Sequence, residues 1–366
     1  MRVPDFAHSA VHLRRALPML ALSALLAVAG ADLHAAAPSH RAPPSSPKAG
    51  EAAANEVQLA ALRRALNAVV ALRISATEGA STARSLGEER SGSGVVIDAD
   101  GLILTIGYLL LEAQTIEVVT QDERRMPARQ VAYDQATGFG LVQPLVPLRP
   151  RIEPAPMSSV ASLEMGEPLM VSTSGEGGAV VGVVRMVDRR AFSGYWEYHI
   201  DQALFTVPPV PNHSGAAVFN RKGELLGIGS LFVSDAPAIG RVVPGNMFVP
   251  VDLLAPVLAE MRATGTTLAS HRPWLGVSSQ LQDGRVRIMR VERGGPAQLA
   301  GVSAGDEVLE VDGTPVDSLE SFYKKIWTHP APTDEVELTV RTGEEVRKVR
   351  VQAVDRLQTL RKPQGI

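Results

Sequence analysis

The sequence contains no cysteine, which excludes disulfide bonds, a cysteine nucleophile and thiolate metal ligands. Aromatic residues make up only 4% of the 366 residues, too few to indicate a stacking platform for single-stranded nucleic acid. The formal net charge is −3, and the sequence has no basic stripe of the kind that binds duplex phosphates. We therefore predict no nucleic-acid partner, no metal site and no other cofactor.

The beginning of the chain has the composition of a targeting segment. Arginines at positions 2, 14 and 15 precede an apolar run over residues 16–29, and Ala29-Gly30-Ala31 offers the small residues that a signal peptidase needs. The apolar run is short for a membrane span. We expect residues 1–31 to be a cleaved signal peptide, with an uncleaved membrane anchor as the alternative. Export without cysteine favours a bacterial periplasm over a disulfide-rich secreted scaffold.

The rest of the chain divides by composition into a linker, two folded units and a tail. Residues 32–55 are rich in Ala, Pro and Ser, which is typical of a linker. Residues 56–268 start with a helical pattern and continue as short apolar runs between turn residues, which indicates a β-barrel or sandwich; a further helix is predicted over 251–264. Residues 272–355 have the pattern of a small sheet with two helices, and residues 356–366 look like a frayed tail.

A candidate nucleophile lies in the segment Pro211-Asn212-His213-Ser214-Gly215. A serine on a tight turn exposes its hydroxyl, and neighbouring backbone N–H groups can point at an oxyanion. Taken alone the motif is weak, because Ser-Gly usually marks an ordinary turn.

Other segments, in the same order along the chain, strengthen this interpretation. Residues 91–105 read Ser-Gly-Ser-Gly-Val-Val-Ile-Asp-Ala-Asp-Gly-Leu-Ile-Leu-Thr, and residues 161–167, 180–188 and 222–228 follow. Together they resemble the HtrA (DegP-, DegQ- and DegS-like) serine proteases over about residues 60–355. The resemblance implies a mainly β fold, a chymotrypsin-like double β-barrel over 56–268 followed by a small α+β PDZ domain over 272–355.

The resemblance breaks at the catalytic positions. Tyr108 stands where the family has its catalytic His after Leu-Thr-x-x, and Gly138 stands at the position of the Asp. Asn212 replaces a glycine that donates an oxyanion-hole N–H in the family. A serine hydroxyl is a poor nucleophile unless a base takes its proton. The resemblance therefore implies a protease frame with a degenerate triad, in which Ser214 is not activated.

Three other residues could replace the missing groups. His213 adjoins Ser214, but adjacent side chains on a tight turn generally diverge; His199 precedes the loop, and Asp134 lies four residues before Gly138. We expect each to be a surface or satisfied structural residue.

The second unit carries a candidate peptide-binding loop, Pro273-Trp274-Leu275-Gly276-Val277. This loop and the ungapped segment over 294–309 resemble the PDZ domains of the same family. The resemblance implies that backbone N–H groups of Leu275, Gly276 and Val277 converge on a peptide's terminal carboxylate, and that the peptide adds as a strand beside Val277. Trp274 either belongs to this loop or packs the hinge at 269–271.

A helix of the second unit places Phe322 and Ile326 on one face, four residues apart. Both could line the pocket for the peptide's last side chain, and both could equally belong to the core.

Three functions are compatible with the sequence. The first is a periplasmic PDZ protein that binds C-terminal or unfolded segments as a chaperone, adaptor or regulator of an active protease. The second is a serine endopeptidase with residual or unconventional activity through Ser214, and the third is a scaffold that tethers one envelope partner. The expected partners are protein C-termini, misfolded envelope proteins or an active protease. Family resemblance also suggests a homotrimer.

Overall fold

The computed structural model describes residues 49–175 and 178–363. The predicted signal peptide over 1–31 and most of the predicted linker, up to residue 48, lie outside the described residues. The first helix, α1 (Ala49–Asn67), begins inside the predicted linker. The reason is that Glu51-Ala52-Ala53-Ala54 consists of residues with high helix propensity.

The first barrel follows α1 and is closed by six antiparallel strands in the order β1-β2-β3-β6-β5-β4. A short helix, α2 (Ala83–Leu86), joins the first two strands. The strands are β1 (Val69–Ala76), β2 (Glu89–Val96), β3 (Ile103–Ile106), β4 (Ala113–Val119), β5 (Arg125–Tyr133) and β6 (Phe139–Pro144).

The second barrel repeats this architecture in the order β10-β11-β12-β9-β8-β7. Its longest hairpin, between β8 and β9, extends beyond the barrel toward the C-terminal unit. The strands are β7 (Pro168–Gly175), β8 (Gly178–Gly194), β9 (Tyr198–Val207), β10 (Ala217–Phe219), β11 (Leu225–Val233) and β12 (Gly245–Pro250).

One hydrophobic core runs from the first barrel into the second and includes Leu72, Phe139 and Phe205, all fully buried. Alternation of apolar and polar residues along the strands supplies this core, since successive side chains point to opposite faces. The observed pair of closed barrels confirms the predicted mainly β, double-barrel fold.

The helix predicted over 251–264 is only partly present. Residues Val251–Leu253 form a 3₁₀ turn and α3 covers Leu258–Thr264. Pro256 separates them, because it lacks an N–H and disfavours helical geometry in the preceding residue.

The C-terminal unit is a small antiparallel sheet with two helices, as predicted. Its own core includes Val286, Phe322 and Leu338. The strand order is β14-β15-β16-β18-β19, with β17 beside β16 and a separate β13–β20 pair. The elements are β13 (Pro273–Trp274), β14 (Val277–Gln282), β15 (Arg285–Val291), α4 (Pro296–Leu299), β16 (Glu307–Val311), β17 (Thr314–Pro315), α5 (Leu319–Ile326), β18 (Glu335–Thr342), β19 (Glu345–Gln352) and β20 (Val354–Asp355).

Residues 356–363 are ordered, although a frayed tail was expected over 356–366, whose last three residues lie outside the described residues. Helix α6 (Arg356–Thr359) starts at Asp355, whose side chain accepts the N–H of Leu357 at 2.9 Å. Beyond it, the backbone N–H of Arg361 donates to Glu112 of the first barrel at 3.0 Å. A capped helix and a buried acceptor thus hold residues that composition alone assigned to a tail.

Candidate active site and peptide-binding loop

Ser214 lies on the loop between β9 and β10, half-buried between the two barrels. Its carbonyl accepts the N–H of Ser93 on β2 at 2.8 Å, and Gly215 donates to the carbonyl of Gly229 on β11 at 2.8 Å. The turn is therefore fixed to both barrels and holds the serine in one position.

Tyr108 reaches Ser214 from the 3₁₀ turn Gly107–Leu110, directly after β3. Its hydroxyl lies 2.7 Å from Oγ of Ser214 and 2.9 Å from the carbonyl oxygen of Ser230, and its single proton serves these two acceptors. Burial raises the pKa of Tyr108 to about 12, against the opposing effect of the Ser214 hydrogen bond. At neutral pH the phenol is protonated and donates to the serine, so it cannot take the serine's proton.

Gly138 lies next to the Tyr108 turn. Its carbonyl accepts the N–H of Gly107 at 2.7 Å, and its own N–H donates to the carbonyl of Asp134 at 2.8 Å. Its φ of +84° is a left-handed conformation, and a Cβ there would lie 3.1 Å from the Tyr198 hydroxyl. The position thus offers no group to orient a base, and its backbone disfavours a side chain.

Asp134 is fully buried, and its carboxylate is hydrogen-bonded to residues other than Ser214. Its carboxylate accepts the hydroxyl of Thr267 at 2.6 Å and the N–H of Thr137 at 3.0 Å, together with the hydroxyl of Ser270. Burial alone would raise the pKa of Asp134, but these hydrogen bonds outweigh it and hold the pKa below its ordinary value. Asp134 therefore fastens the inter-domain segment to the first barrel and does not face Ser214 as a triad acid.

Four histidines lie within the described ranges, and no hydrogen bond in this part of the chain joins an imidazole to Ser214. Burial lowers the pKa of His213, which is half-buried beside the serine. The other three histidines have hydrogen-bond partners of their own: His199 with Ser193 at 2.8 Å, His271 with Asp355 at 2.7 Å and His329 with Asp312 at 2.8 Å.

Asn212 adopts a left-handed backbone, with φ of +55°, at the position for which the family resemblance implies an oxyanion-hole donor. Asparagine tolerates this conformation better than most residues. Among the described residues, the backbone N–H groups of Asn212, His213 and Ser214 have no hydrogen-bond acceptor. The loop thus keeps backbone donors that an oxyanion could use.

The three predicted N–H donors of the peptide-binding loop do converge on a carboxylate, but the carboxylate belongs to Glu197. Leu275 donates to Oε2 at 3.0 Å, and Gly276 and Val277 donate to Oε1 at 2.8 and 2.9 Å. Glu197 lies at the tip of the β8–β9 hairpin and is 1% exposed. Burial raises the pKa of Glu197, although the N–H donors and the charge of Arg356 oppose this shift.

The side chains around this loop are also in place. Trp274 pairs with Val354 in the β13–β20 ladder, and its ring lies 5.6 Å from the Arg356 guanidinium. Phe322 and Ile326 have no exposed surface and pack in the domain core, so in this conformation a peptide reaches neither.

Glu197 was not singled out from the sequence. A single glutamate in a hairpin carries no signal of its own. The residues around it do carry a signal, because only 4% of the chain is aromatic and yet four aromatic residues lie within seven positions: Phe192, Tyr195, Trp196 and Tyr198. Such a cluster at a hairpin tip is typical of a contact surface.

The lengths and compositions of the helices also bear on membrane association. In the ranges that the structure covers, no helix has both the length and the apolar character needed to cross a bilayer.

Both units match known protein families. Residues 92–228 match the family described as Trypsin-like peptidase domain, and residues 273–353 match the family described as PDZ domain.

The relatives of this chain include longer proteins that are named as serine proteases. A Halomonas elongata protein named "Probable periplasmic serine endoprotease DegP-like" is 30% identical over 288 residues, covering 73% of this chain and 57% of the relative. "Serine protease Do-like HtrA" of Bacillus subtilis is 25% identical over 302 residues, covering 71% and 63%. The chain therefore spans about three fifths of the length of these relatives.

Solved structures share the fold at low identity. The HtrA-type protease AlgW with a tripeptide is 19% identical with a TM-score of 0.50, covering 84% of this chain and 98% of that one. A variant of AlgW with a tripeptide has a TM-score of 0.52 at the same identity and coverage. With both domains matched in order and HtrA- and DegP-named relatives found, the chain belongs to the HtrA family of trypsin-like peptidases with a C-terminal PDZ domain.

Proposed function

We propose that this protein binds protein C-termini or unfolded segments through its PDZ domain and does not use Ser214 as an efficient nucleophile. The observation that carries the proposal is the contact between the Tyr108 hydroxyl and Oγ of Ser214, 2.7 Å apart. A protonated phenol with a pKa of about 12 lies where the reaction needs a proton acceptor.

The missing groups matter quantitatively. A serine protease that lacks a triad member retains roughly 10³–10⁴-fold catalysis over water, from binding and the oxyanion hole alone. Here both the base and its orienting acid are absent from their family positions, which Tyr108 and Gly138 occupy. Hydrolysis at the rate of a working protease is therefore not expected.

The geometry of the loop at residues 275–277 supports peptide binding. The N–H groups of Leu275, Gly276 and Val277 lie 2.8–3.0 Å from carboxylate oxygens, as recognition of a C-terminus requires. We infer a role as chaperone, adaptor or regulator of an active protease. A relative named as periplasmic and the composition of the first 31 residues support the periplasm as its location.

A residually active hydrolase is the second candidate. The backbone N–H groups of Asn212 and Ser214 have no acceptor among the described residues, and they favour this candidate because an oxyanion could use them. A homotrimer remains an expectation from family membership, which light scattering of the purified protein would test.

The deciding experiment is hydrolysis of casein and of a fluorogenic peptide by the purified protein and its Ser214→Ala variant. We expect equal signals from both. Hydrolysis that disappears in the variant would refute the proposal and favour the hydrolase.

A further inference from the structure

The tip of the β8–β9 hairpin lies where a peptide ligand would lie. Its residues 194–197 are held between β14 and α5: Tyr195 accepts the N–H of Ser279 at 2.8 Å, and Gly194 accepts the hydroxyl of Tyr323 at 2.9 Å. This backbone hydrogen bond to the edge of β14 is of the kind that a peptide makes when it binds as an added strand.

The spacing of these contacts matches that of a bound C-terminus. The carboxylate of Glu197 accepts the three N–H groups up to that of Val277. Two residues further along β14, the N–H of Ser279 donates to the carbonyl of Tyr195. Tyr195 lies two residues before Glu197, so the contacts are two residues apart on both segments, which run in opposite directions. The hairpin thus presents a carboxylate and a backbone acceptor at the spacing of the last residues of a chain.

An internal segment can supply such a carboxylate only from a side chain, because the backbone must continue. Glu197 does this with a left-handed backbone, φ +57°, which turns the chain into β9 while its side chain points into the loop. Left-handed geometry is unfavourable for a non-glycine residue. The contacts of the carboxylate compensate for that cost.

Further contacts from the C-terminal unit hold the hairpin from outside the loop. Arg272 donates to the carbonyl of Glu197 at 3.3 Å and stacks on Trp327, and Lys324 on α5 bonds to the exposed carboxylate of Asp201 at 2.8 Å. The first contact is a hydrogen bond to a backbone carbonyl. The second is an exposed ion pair, and such pairs contribute little to stability. The carboxylate in the loop is buried and accepts three N–H groups at 2.8–3.0 Å.

We propose that Glu197 is an internal ligand that closes the PDZ domain, and that a protein C-terminus binds only by displacing it. This inference rests on the proposed peptide-binding function and adds its regulation. The apparent dissociation constant of a peptide then equals its intrinsic value divided by the fraction of molecules in which the hairpin has left the loop. Removing the carboxylate should therefore tighten peptide binding without any new contact to the peptide.

The test is a titration of the whole protein with a decapeptide that contains no tryptophan, ends in Gly-Tyr-Phe-Val and carries a free carboxylate. Its C-terminal amide serves as the negative control. Binding is read from tryptophan fluorescence, because Trp196, Trp274 and Trp327 all lie at this contact. We expect Glu197→Ala to bind the free acid at least about 10-fold more tightly than the wild type, a difference of about 1.4 kcal/mol. Glu117→Ala, which removes an exposed acid paired at 3.8 Å with Arg125, is the matched charge control and should leave affinity unchanged.

A second measurement needs no peptide. Amide hydrogen exchange of Leu275, Gly276 and Val277 should be slow in the wild type and faster in Glu197→Ala, while exchange in the β18–β19 ladder stays the same and reports an intact fold. In the wild type, excess free-acid peptide should change the fluorescence, which keeps the proposal testable if Glu197→Ala does not fold.

The outcomes separate the inference from the proposed function. Equal peptide affinity and equal exchange in the wild type and Glu197→Ala would overturn the internal ligand and leave the peptide-binding function standing. Failure of both proteins to bind the free acid, with faster exchange in the variant, would overturn the proposed function and with it this regulation. Tighter binding with faster exchange supports both.

Discussion

The Ser214 loop and the Leu275–Val277 loop each hold a side chain of the same protein where a reactant or ligand would lie. Tyr108 lies 2.7 Å from the serine and comes from a turn within the barrel core. Glu197 lies 2.8–3.0 Å from the amides and comes from a hairpin tip. Under the proposed function, removing Tyr108 leaves a serine without a base, whereas removing Glu197 leaves a complete set of donors. The comparison teaches that an occupied site can recover its function only if the residues that perform its chemistry are still present.

The largest effect is expected when the peptide-binding loop itself is blocked. Gly276 has φ of +78°, and a Cβ there would lie 3.2 Å from the Trp274 ring. In the Glu197→Ala background, Gly276→Val should weaken binding of the free-acid peptide by at least about 100-fold, because the strained loop misplaces its donors. Gly284→Val is the matched control, since Gly284 has φ of +72° but open space around it at the far end of β14. Equal losses in both would mean that the loop is not the carboxylate site.

The second largest effect concerns Asp134, near the lost acid position. Asp134→Ala should lower the free energy of unfolding by about 2 kcal/mol, because Thr267 and Ser270 lose their buried acceptor. It should leave the reactivity of Ser214 unchanged. Chemical denaturation and probe labelling measure the two, and a large change in labelling would instead give Asp134 a catalytic role.

The same carboxylate predicts a pH dependence. Hydrogen bonds hold the pKa of Asp134 below its ordinary value despite burial, so its contribution to stability is present above the unfolded pKa and lost as pH falls through the folded value. The stability difference between wild type and Asp134→Ala should thus be constant from about pH 8 to 5 and shrink only below about pH 4. A difference that fades near neutral pH would contradict this assignment.

A third substitution, Tyr108→His, would introduce an imidazole base without an acid at position 138 to orient it. Tyr108→His places an imidazole where the family has one, and its labelling by a fluorophosphonate should rise by about 10-fold over the wild-type background. A positioned general base contributes roughly 10²–10⁴-fold, and Gly138 cannot position this one. Full restoration would show that the acid is dispensable here and would break the comparison between the two sites.

The smallest effect is expected for Tyr108→Phe. Ser230 and Ser214 lose one hydrogen bond, so the free energy of unfolding should fall by about 1 kcal/mol, with no gain of hydrolysis. Tyr195→Phe, at a tyrosine that is 52% exposed, is the control and should stay within about 0.5 kcal/mol of wild type. Hydrolysis by the Tyr108→Phe variant would mean that the phenol alone suppresses an otherwise competent serine.

Alternating apolar runs and turn residues determine strands locally, so the sequence pattern predicted a β-barrel or sandwich and a small sheet with two helices. The resemblance to HtrA proteases implied the double barrel and the PDZ domain. The sequence pattern missed the break in the helix around Pro256 and the ordered segment after Asp355, where one proline and one capping side chain decide. The assignment of Tyr108 and Gly138 to the catalytic positions rests on their neighbours in sequence and stays a prediction. Glu197 could not be singled out in that way, because its role depends on packing between residues about 80 positions apart, which no local pattern encodes.

The central claim is tested most directly by labelling Ser214 with a fluorophosphonate probe and quantifying the adduct by intact-protein mass spectrometry, beside the Ser214→Ala variant. The account predicts no labelling above that of the variant, because the Tyr108 phenol cannot take the serine's proton. Stoichiometric labelling that depends on Ser214 would contradict it.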